Sequence, residues 1–487
     1  MDQHDVDYVI IGTGAGGATA ARVLSEAGHR LLMLEEGPLL SAAERPLAMS
    51  EAMHLTFRDN ATLTTIGRAP FPVLQGRLVG GSTAINSGII WRMPEDVRKS
   101  FQDEHGLGEL VDERGLAQTF ETLERELGVA ETPTALRGEN ANLMARAASA
   151  LGLPGKPIAR NVVNCAGSAR CLQGCPRNAR TSMDVSYVPY AQARGALLWP
   201  LSRAEVIEVK RGVAVGVVGA RLDPDTLAPC GRFRVRARRG VIVAASAIQT
   251  PLLLRSAGLR GLVGKRFQAH PGAAVVGFFD EPIVQGFGAT QSYEVPQRER
   301  GYKLESLSLP PELLAARLPG VGPAWQRRLA RLGHAAHWVA QVRMRAMGSV
   351  KPGWLGRPHI HYAPTPQDMA KLREAIALLV RMFFAAGARE VSHGLYGLPA
   401  LFTQAEQAAL IEQRALDPRH VHMLASHLFG TACAGQDPAR SVVGPDLQCH
   451  AIRQLYVMDA SVFPTNMGVN PQHSIMALAF RASSRLA

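Results

Sequence analysis

The sequence predicts an α/β protein, with a parallel sheet near the amino terminus and an antiparallel sheet flanked by helices in the middle of the chain. Three observations predict this fold class: a strand–helix–strand pattern opens the chain, an apolar helix closes it, and alternating strands with one long helix lie between them. With 487 residues and 47 % apolar composition, the chain is long enough for two cores.

The first element is a short apolar run at residues 6–11, typical of a buried parallel strand. Three glycines follow it in the spacing G-x-G-x-x-G: Gly12, Gly14 and Gly17. A small-residue stretch at 18–27 predicts a helix that ends at Gly28, and Glu35 comes near the end of the next strand. This order of strand, glycines, helix and acid is a specific signature of an adenine dinucleotide site.

Each part of the signature has a physical role. Gly12 permits the tight turn, Gly14 lets the backbone approach a pyrophosphate, and Gly17 lets helix and strand pack closely. The helix start offers free N–H groups to the phosphates. Glu35 can accept hydrogen bonds from both ribose hydroxyls. The signature does not choose between FAD and NAD, and the lack of a second such triplet predicts a single dinucleotide.

The middle of the chain supplies a small group of strands and, after it, the second sheet and its helix. Strands are predicted at 204–210, 213–222 and 234–245, where apolar residues recur with a period near two. Further along, a strand at 337–345 is followed by a long helix at 366–388. Four residues of this helix fall at core spacing: Met369, Leu372, Ile376 and Leu379.

Charge and hydropathy exclude several classes of protein. Lys and Arg number 53 against 41 Asp and Glu, but the excess is scattered Arg, so we expect no nucleic-acid partner. No segment reaches the about 18 uninterrupted apolar residues of a membrane-spanning helix. The acidic start, MDQHDVD, lacks the basic residues of a secretory signal. We therefore expect a cytoplasmic location, with peripheral membrane association as the alternative.

Further sequence blocks carry a resemblance. They read GRLVGGSTAINSG at 76–88, GVIVAASAIQTPLLLRSAG at 240–258, HLFGT at 427–431 and YVMDASVFPTNMGVNP at 456–471. Together with the amino-terminal signature, their order and spacing resemble the glucose–methanol–choline (GMC) family of FAD-dependent oxidoreductases. The resemblance selects FAD as the dinucleotide. It implies a Rossmann-type FAD-binding domain formed by 1–276 and 421–487, with an inserted α+β substrate-binding domain at 277–420.

The same resemblance implies which residues contact FAD. Gly12, Gly14 and Gly17 would hold the pyrophosphate, and Glu35 the adenosine ribose. The remaining implied contacts are Gly81, Ser82 and Asn86 along the flavin and pyrophosphate, Val206 by the adenine, Asp459 and Ala460 near the ribityl and phosphate groups, and Gln472 at the flavin ring through its backbone.

Two positions depart from the family pattern. Ile85 stands where some members carry a flavin-linked His, so no covalent link is expected there. Ser246 stands where Gly is usual, which changes a local backbone preference.

The closing segment carries the predicted chemistry. His427 matches the active-site His of the family, and Asn470 matches its partner, which is His or Asn. Oxidising an alcohol removes a proton from oxygen and a hydride from carbon, and neutral His is the usual base. We predict that His427 takes the proton, that Asn470 holds the substrate oxygen, and that flavin N5 accepts the hydride.

Asn470 is also predicted to cap the last helix, whose N-terminus would then face the flavin N1/O2 edge and stabilise the negative charge of a reduced flavin. A cap with no part in the chemistry is the alternative interpretation. His473, three residues further on, is expected to have no fixed catalytic role.

These predictions lead to FAD-dependent oxidation of a small-molecule alcohol, with O₂ or another acceptor receiving the electrons. The low acidic content and the Leu-rich segment 307–338 favour a lipophilic substrate. This segment is either a lid that touches a membrane surface or a plain amphipathic surface helix. The alternative function is a lyase of the same fold, in which FAD is structural and His427 alone performs acid–base chemistry.

A cluster of cysteines remains open to interpretation. Cys165, Cys171 and Cys175 lie in a Gly- and Arg-rich loop with the spacing C-x₅-C-x₃-C. A metal or iron–sulfur site, a disulfide and free thiols are all compatible with the pattern. No metal site is predicted, because a closed site needs a fourth ligand. A similar GCP segment occurs in the long-chain alcohol oxidase-like branch of the family, and the resemblance extends to that branch.

Overall fold

The structure is a computed structural model that describes residues 2–487, and its helices are given first. In chain order they are α1 (Ala15–Glu26), α2 (Met49–Thr56), α3 (Glu95–Asp103), α4 (Glu113–Leu127), α5 (Gly138–Ala150), α6 (Tyr187–Gln192), α7 (Ser246–Ser256), α8 (Pro311–Ala315), α9 (Pro323–Leu329), α10 (Pro366–Ala385), α11 (Ala408–Glu412) and α12 (Gln472–Ser484).

The strands fall into two large sheets and one small pair. In chain order they are β1 (Asp2–Ile11), β2 (Leu31–Leu34), β3 (Val129–Glu131), β4 (Lys156–Pro157), β5 (Ala159–Asn161), β6 (Leu197–Trp199), β7 (Ser202–Lys210), β8 (Val213–Leu222), β9 (Pro229–Val243), β10 (Lys265–Phe278), β11 (Tyr293–Gln297), β12 (Tyr302–Ser306), β13 (Ala335–Val342), β14 (Gly348–Pro352), β15 (Pro358–His361), β16 (Glu390–Ser392), β17 (Met423–Phe429) and β18 (Leu455–Val457).

The first large sheet is mixed and has the order β6-β2-β1-β9-β8-β7, with β18 also pairing with β9. Strands β6, β2, β1, β9 and β18 run parallel, whereas β8 and β7 continue the sheet antiparallel. Val9, Ile10 and Leu32 are fully buried, because α1 and α12 pack together beside these strands. The strand–helix–strand prediction at the amino terminus is confirmed.

The second sheet is antiparallel throughout and has the order β15-β14-β10-β13-β12-β11-β4, with β16 and β17 also paired to β10. Helices α10 and α5 pack on it, with the Trp338 and Phe383 rings stacked 3.8 Å apart. The predicted fold class, a Rossmann-type domain with an antiparallel sheet flanked by helices, is confirmed. The domain boundaries stay a prediction. The second sheet contains β10, which crosses the predicted boundary after residue 276, and β17, which begins after the predicted boundary at residue 420.

The long helix α10 forms where the sequence predicts it, and its start has a capping box. Thr365 Oγ1 accepts from Asp368 N at 3.2 Å, and an Asp368 side-chain oxygen accepts from Thr365 N at 3.0 Å. The four predicted core residues are at most 2 % exposed: Met369, Leu372, Ile376 and Leu379. The helix ends three residues earlier than predicted, at Ala385.

The Leu-rich segment 307–338 packs into the protein. Leu309, Leu314 and Leu318 are buried with Val276 and Phe278 of β10. This packing accounts for the leucines without a lid, although Val321 at the tip is 86 % exposed. No helix in residues 2–487 is both long enough and apolar enough to cross a membrane.

Candidate active site

Four parallel strands of the first sheet end at one edge, and the predicted cofactor residues follow them. Glu35 follows β2, residues 12–17 follow β1, residues 244–246 follow β9, and residues 458–460 follow β18. The carboxyl ends of parallel strands are the usual place of ligand sites in open α/β sheets. The sheet therefore brings together residues from the first 40 and the last 40 positions of the chain.

The glycine loop after β1 is packed on its neighbours at every glycine except one. A β-carbon on Gly12 would lie 2.4 Å from Ala244 O, and one on Gly17 would lie 2.0 Å from Gly12 O. Gly16, which sequence reasoning missed because it lies outside the triplet, is tighter still, at 1.6 Å from Met458 O. These glycines let α1 enter against β9 and β18.

Gly14 differs, because a β-carbon there would have nothing within 4 Å. Gly14 is the N-cap residue of α1, and no side chain of the described residues caps this helix. Across the gap lies Gly81, where a β-carbon would be 3.0 Å from Gly14 Cα. The open space at the helix start, lined by backbone from two glycine-rich loops, suits a pyrophosphate.

Glu35 is fixed beside this loop by three hydrogen bonds. Its Oε2 accepts from Thr13 N at 3.1 Å and from Thr13 Oγ1 at 2.8 Å, and its Oε1 accepts from Gly37 N at 3.0 Å. Burial raises the pKa of Glu35, while these bonds oppose the rise. Thr13 also accepts from Gly80 N at 3.0 Å, so this residue, unnoticed in the sequence, ties the acid to both glycine loops.

Asp459 joins the ends of β18 and β9. It accepts from Ser461 N at 2.8 Å and from Ser246 N at 2.9 Å, and also from the Thr250 hydroxyl. Burial raises its pKa, against the effect of these bonds. Ser246, noted as a departure from Gly, has φ +85°, a conformation that Gly adopts more easily. Ala460 is half-buried beside Asp459.

Val206 lies in the antiparallel part of the first sheet. It is in β7, opposite Val218 of β8, and is 41 % exposed. The neighbouring Ile207 N donates to Ser256 Oγ of α7 at 3.1 Å. Its predicted place beside the adenine stays a prediction.

The loop 81–88 is held from behind by two buried arginines that carry no recognisable sequence signal. Arg180 donates to Ala84 O and Asn86 O, and Arg160 Nε donates to Ser87 O at 2.7 Å. Ser82 Oγ accepts from Gly76 N at 3.0 Å. These bonds fix a loop that otherwise has little regular structure.

The side chains of Asn86 and Gln472, both predicted to lie at the flavin, form a hydrogen bond with each other although they are far apart in the chain. Asn86 Nδ2 donates to Gln472 Oε1, and Asn86 Oδ1 accepts from Gly88 N at 2.8 Å. Gln472 is the first residue of α12 and is 7 % exposed. Its buried Nε2 has no partner among residues 2–487.

His427 and Asn470 come together although they lie on separate elements. His427 is in β17 and Asn470 precedes α12, and Asn470 Nδ2 lies 3.4 Å from His427 Nε2. Burial and then the charge of Lys303 lower the pKa of His427 to about 3, so the imidazole is neutral at pH 7. The pair therefore presents an unprotonated nitrogen beside an amide donor.

The prediction that Asn470 caps the last helix is wrong. Helix α12 begins at Gln472 with Pro471 at the N-cap position, and no described side chain caps it. The Asn470 amide points instead toward His427 and to Lys303, whose Nζ lies 2.5 Å from Asn470 Oδ1. The Asn470 side chain therefore makes its hydrogen bonds away from the helix end.

His473 turns into the core. It is fully buried, its Nε2 lies 3.2 Å from Glu124 Oε1, and its ring lies 4.8 Å from that of Phe120. The expectation that it has no fixed catalytic role agrees with this placement.

Comparison with known proteins identifies the family of this chain. Two family models described as GMC oxidoreductase match the chain, one over residues 6–272 and the other over residues 331–479. The chain belongs to the GMC oxidoreductase family. As a GMC oxidoreductase it is an FAD-dependent enzyme, which confirms the recognition and the cofactor predicted from its sequence blocks.

Relatives and solved structures match nearly the full length of the chain. It is 35 % identical over 484 residues to an uncharacterized GMC-type oxidoreductase of Mycobacterium tuberculosis, with 98 % of this chain and 75 % of the relative covered. Over 504 residues it is 24 % identical to a long-chain-alcohol oxidase of Arabidopsis thaliana, with 97 % and 67 % covered. A formate oxidase variant of Aspergillus oryzae, studied for its FAD modification, shares the fold with a TM-score of 0.75 at 15 % identity, over 99 % of this chain and 98 % of that chain.

The residues at this site fit the family's cofactor. The uncapped start of α1 and the open side of Gly14 suit a pyrophosphate. Gln472 Nε2 is a buried donor without a described protein partner, and the carbonyl groups of a flavin ring are acceptors that would satisfy it. A GMC oxidoreductase thus keeps polar atoms unpaired where FAD would bind.

The six cysteines of this GMC chain, all within residues 2–487, are free thiols. Arg160 Nη2 donates to Cys171 Sγ at 3.2 Å. Burial would raise the pKa of Cys171, but the charges of Arg160 and Arg180 outweigh it and lower this pKa to about 7. In the described part of the chain, no group of three or more His, Cys, Asp or Glu side chains is placed to hold a metal.

Buried histidines predict that this GMC oxidoreductase loses stability in acid. Burial lowers the pKa of His337 to about 3, as it does for His427, while the unfolded chain has the ordinary value near 6.5. Between these values only the unfolded state binds the proton, so the free energy of unfolding falls as pH decreases from 6.5 toward 3, by up to about 1.4 kcal/mol per pH unit for each histidine.

His337→Gln is expected to reduce that slope, measured by urea unfolding at a series of pH values. The matched control is His422→Gln at an exposed position, which keeps buried His337 and should therefore keep the part of the slope that His337 contributes. An unchanged slope in His337→Gln would contradict the assignment.

Proposed function

We propose that this GMC oxidoreductase oxidises an alcohol to a carbonyl compound, with His427 as the general base and Asn470 as the group that holds the substrate hydroxyl. The observation that carries the proposal is the meeting of Asn470 Nδ2 with His427 Nε2 at 3.4 Å, beside the uncapped start of α12. A base and a donor this close can bind one oxygen atom between them.

His427 is suited to take the proton of the hydroxyl group. Its low pKa keeps the imidazole neutral at pH 7, so one of its ring nitrogens can accept a proton, and the buried Nδ1 has no competing partner in the described residues. Asn470 N–H would donate to the substrate oxygen and so direct the carbinol hydrogen away from the imidazole. FAD, when bound, supplies the acceptor for the hydride that leaves the carbinol carbon.

The cofactor residues have proposed roles that the family resemblance implies. The backbone of Gly12, Gly14 and Gly17 would hold the pyrophosphate and Glu35 the ribose. The other proposed contacts are Gly81, Ser82, Asn86, Val206, Asp459, Ala460 and Gln472. The open side of Gly14 and the unpaired Gln472 Nε2 support this assignment.

The activities for which relatives are named support alcohol oxidation. Their sequence identity to this chain is too low to support it by itself. The Arabidopsis relatives are long-chain-alcohol oxidases, and a Streptomyces fradiae relative, 28 % identical, is a paromamine 6′-oxidase. The substrates in these two names, a long-chain alcohol and paromamine, differ in polarity. The lipophilic substrate and a membrane contact stay predictions, because the Leu-rich segment has a packing role of its own. Oxidase relatives favour O₂ as the acceptor.

An anaerobic screen tests the proposal. The FAD-bound protein is mixed with a panel that contains both lipophilic alcohols and polyhydroxy or amino alcohols, and the yellow absorbance of the flavin is followed. We expect at least one alcohol to bleach it and air or a quinone to restore it. Formation of product while the flavin stays yellow would favour the lyase instead. A flavin that dithionite bleaches but no alcohol in the panel does would count against alcohol oxidation.

A further inference from the structure

Three buried charged side chains, unused by the proposed mechanism, lie behind Asn470. They are Glu294 in β11, with Lys303 and Glu305 in β12, and each is at most 1 % exposed. Antiparallel pairing places Glu294 opposite Glu305, and Lys303 is two residues from Glu305 on the same face. Lys303 Nζ lies 2.9 Å from Glu294 Oε2 and 2.5 Å from Glu305 Oε1.

The carboxylates of this cluster are held in place by further partners. Glu294 Oε2 accepts from Trp91 Nε1 at 3.0 Å, and Gln291 Nε2 donates to Glu305 Oε2 at 2.8 Å. Lys156 Nζ lies 3.6 Å from Glu294 Oε1. Two carboxylates around Lys303 raise its pKa against the opposing effect of burial, so the ammonium stays charged. The cluster therefore holds one fully buried cation at a fixed position.

That cation has a third contact, with the proposed active-site amide. Lys303 Nζ donates to Asn470 Oδ1 at 2.5 Å. An ammonium group has three donors and no acceptor, so it can face only the oxygen of an amide. The amide nitrogen is then turned to the opposite side, where it lies 3.4 Å from His427 Nε2. Without the ammonium, the two ends of the amide would have no such distinction.

The orientation of the amide bears on the state of His427. An N–H group that faces Nε2 favours the tautomer with a lone pair on Nε2 and the proton on Nδ1. Nδ1 is buried and has no hydrogen-bond partner among residues 2–487, so nothing described on that side selects a tautomer. Selection must come from the side of Asn470.

We propose that Lys303 is a positioning residue: by holding Asn470 Oδ1 it turns Asn470 Nδ2–H toward His427 Nε2 and keeps that nitrogen free to accept the proton of the substrate. Its part in catalysis rests on the proposed function. Its effect on the tautomer does not, since it requires only the three side chains.

The tautomer is measured by ¹⁵N NMR on FAD-bound protein with labelled histidine, with His427→Gln to assign the signal. The test variant is Lys303→Met/Glu305→Met, which removes the donor together with one carboxylate and leaves Glu294 its Trp91 and Lys156 contacts. We expect Nε2 of His427 to be unprotonated in the wild type and protonated in a substantial fraction of the molecules of the variant. The control, Glu305→Gln, keeps Lys303 and should keep the wild-type tautomer. The same tautomer in the test variant and the wild type would overturn the proposal.

Flavin reduction by an alcohol gives the second readout. Because misplacement of a group that orients the substrate is costly, the test variant should reduce its flavin about 10- to 100-fold more slowly per bound FAD. If Lys303 acts through Asn470, Asn470→Ala should lose a similar factor, and combining the changes should cost nothing further. Losses that multiply would overturn the proposal. If no alcohol reduces the wild-type flavin, the proposed function fails, and the tautomer alone decides the role of Lys303.

Discussion

His427→Ala is expected to keep FAD and to lose about 10²–10⁴-fold in the rate of flavin reduction by an alcohol, the range for a lost general base. The imidazole is the group beside Asn470 that is neutral at pH 7 and has a nitrogen facing the proposed substrate position. The side chain makes no bond to the glycine loops, so binding of FAD should survive. Anaerobic stopped-flow absorbance measures the rate per bound flavin.

The control for this variant is His422→Ala, an exposed histidine just before the same strand. It should reduce its flavin at the wild-type rate. A wild-type rate in His427→Ala would show that the proton leaves by another group. If the His427→Ala protein contained no bound FAD, His427 would instead have a structural role.

Gly14→Ala and Gly16→Ala are expected to separate cofactor binding from folding, although the two residues are only two positions apart. At Gly14 the new methyl meets no protein atom within 4 Å and the backbone has φ −70°, so the stability of the FAD-free protein should change by less than about 1 kcal/mol. The methyl fills the space proposed for the pyrophosphate. Loss of two hydrogen bonds from backbone N–H groups to the pyrophosphate, at about 1–1.5 kcal/mol each, would weaken FAD binding by about 10²-fold.

At Gly16 the methyl would lie 1.6 Å from Met458 O, a backbone atom at the end of β18. The FAD-free protein should therefore lose about 3 kcal/mol or more of its free energy of unfolding. Urea unfolding without FAD and titration of FAD by flavin fluorescence measure the two effects. Equal losses of stability in both variants would contradict the assignment of the open side of Gly14 to the cofactor.

The predictable parts of this molecule are those whose residues are close together in the chain. The strand at 6–11, the glycine triplet and Glu35 lie within one short stretch, and the structure keeps them as one unit. The core positions of α10 were predictable because a long helix repeats its burial every three or four residues. The roles of His427 and Asn470 came from the family resemblance, and their meeting required the structure.

The unpredicted parts depend on pairing between distant strands. Nothing in the sequence singles out Glu294, Lys303 and Glu305, because the register of β11 with β12 alone puts the two acids face to face around the lysine. The sequence predicts Asn470 to be a cap because it does not show that the side chain contacts Lys303, which lies 167 positions earlier. Gly16 needs to be a glycine because it packs on Met458, which follows β18, and the sequence around Gly16 does not show this contact.

The packing of α1 on α12, and of Gly16 on Met458, has a consequence for biosynthesis. While the polypeptide is being made, its glycine loop emerges from the ribosome long before the strand and helix that complete the sheet edge. Contacts between such distant segments form slowly. We therefore expect FAD to bind only after the carboxyl-terminal segment has folded, and a product without α12 to bind FAD more weakly.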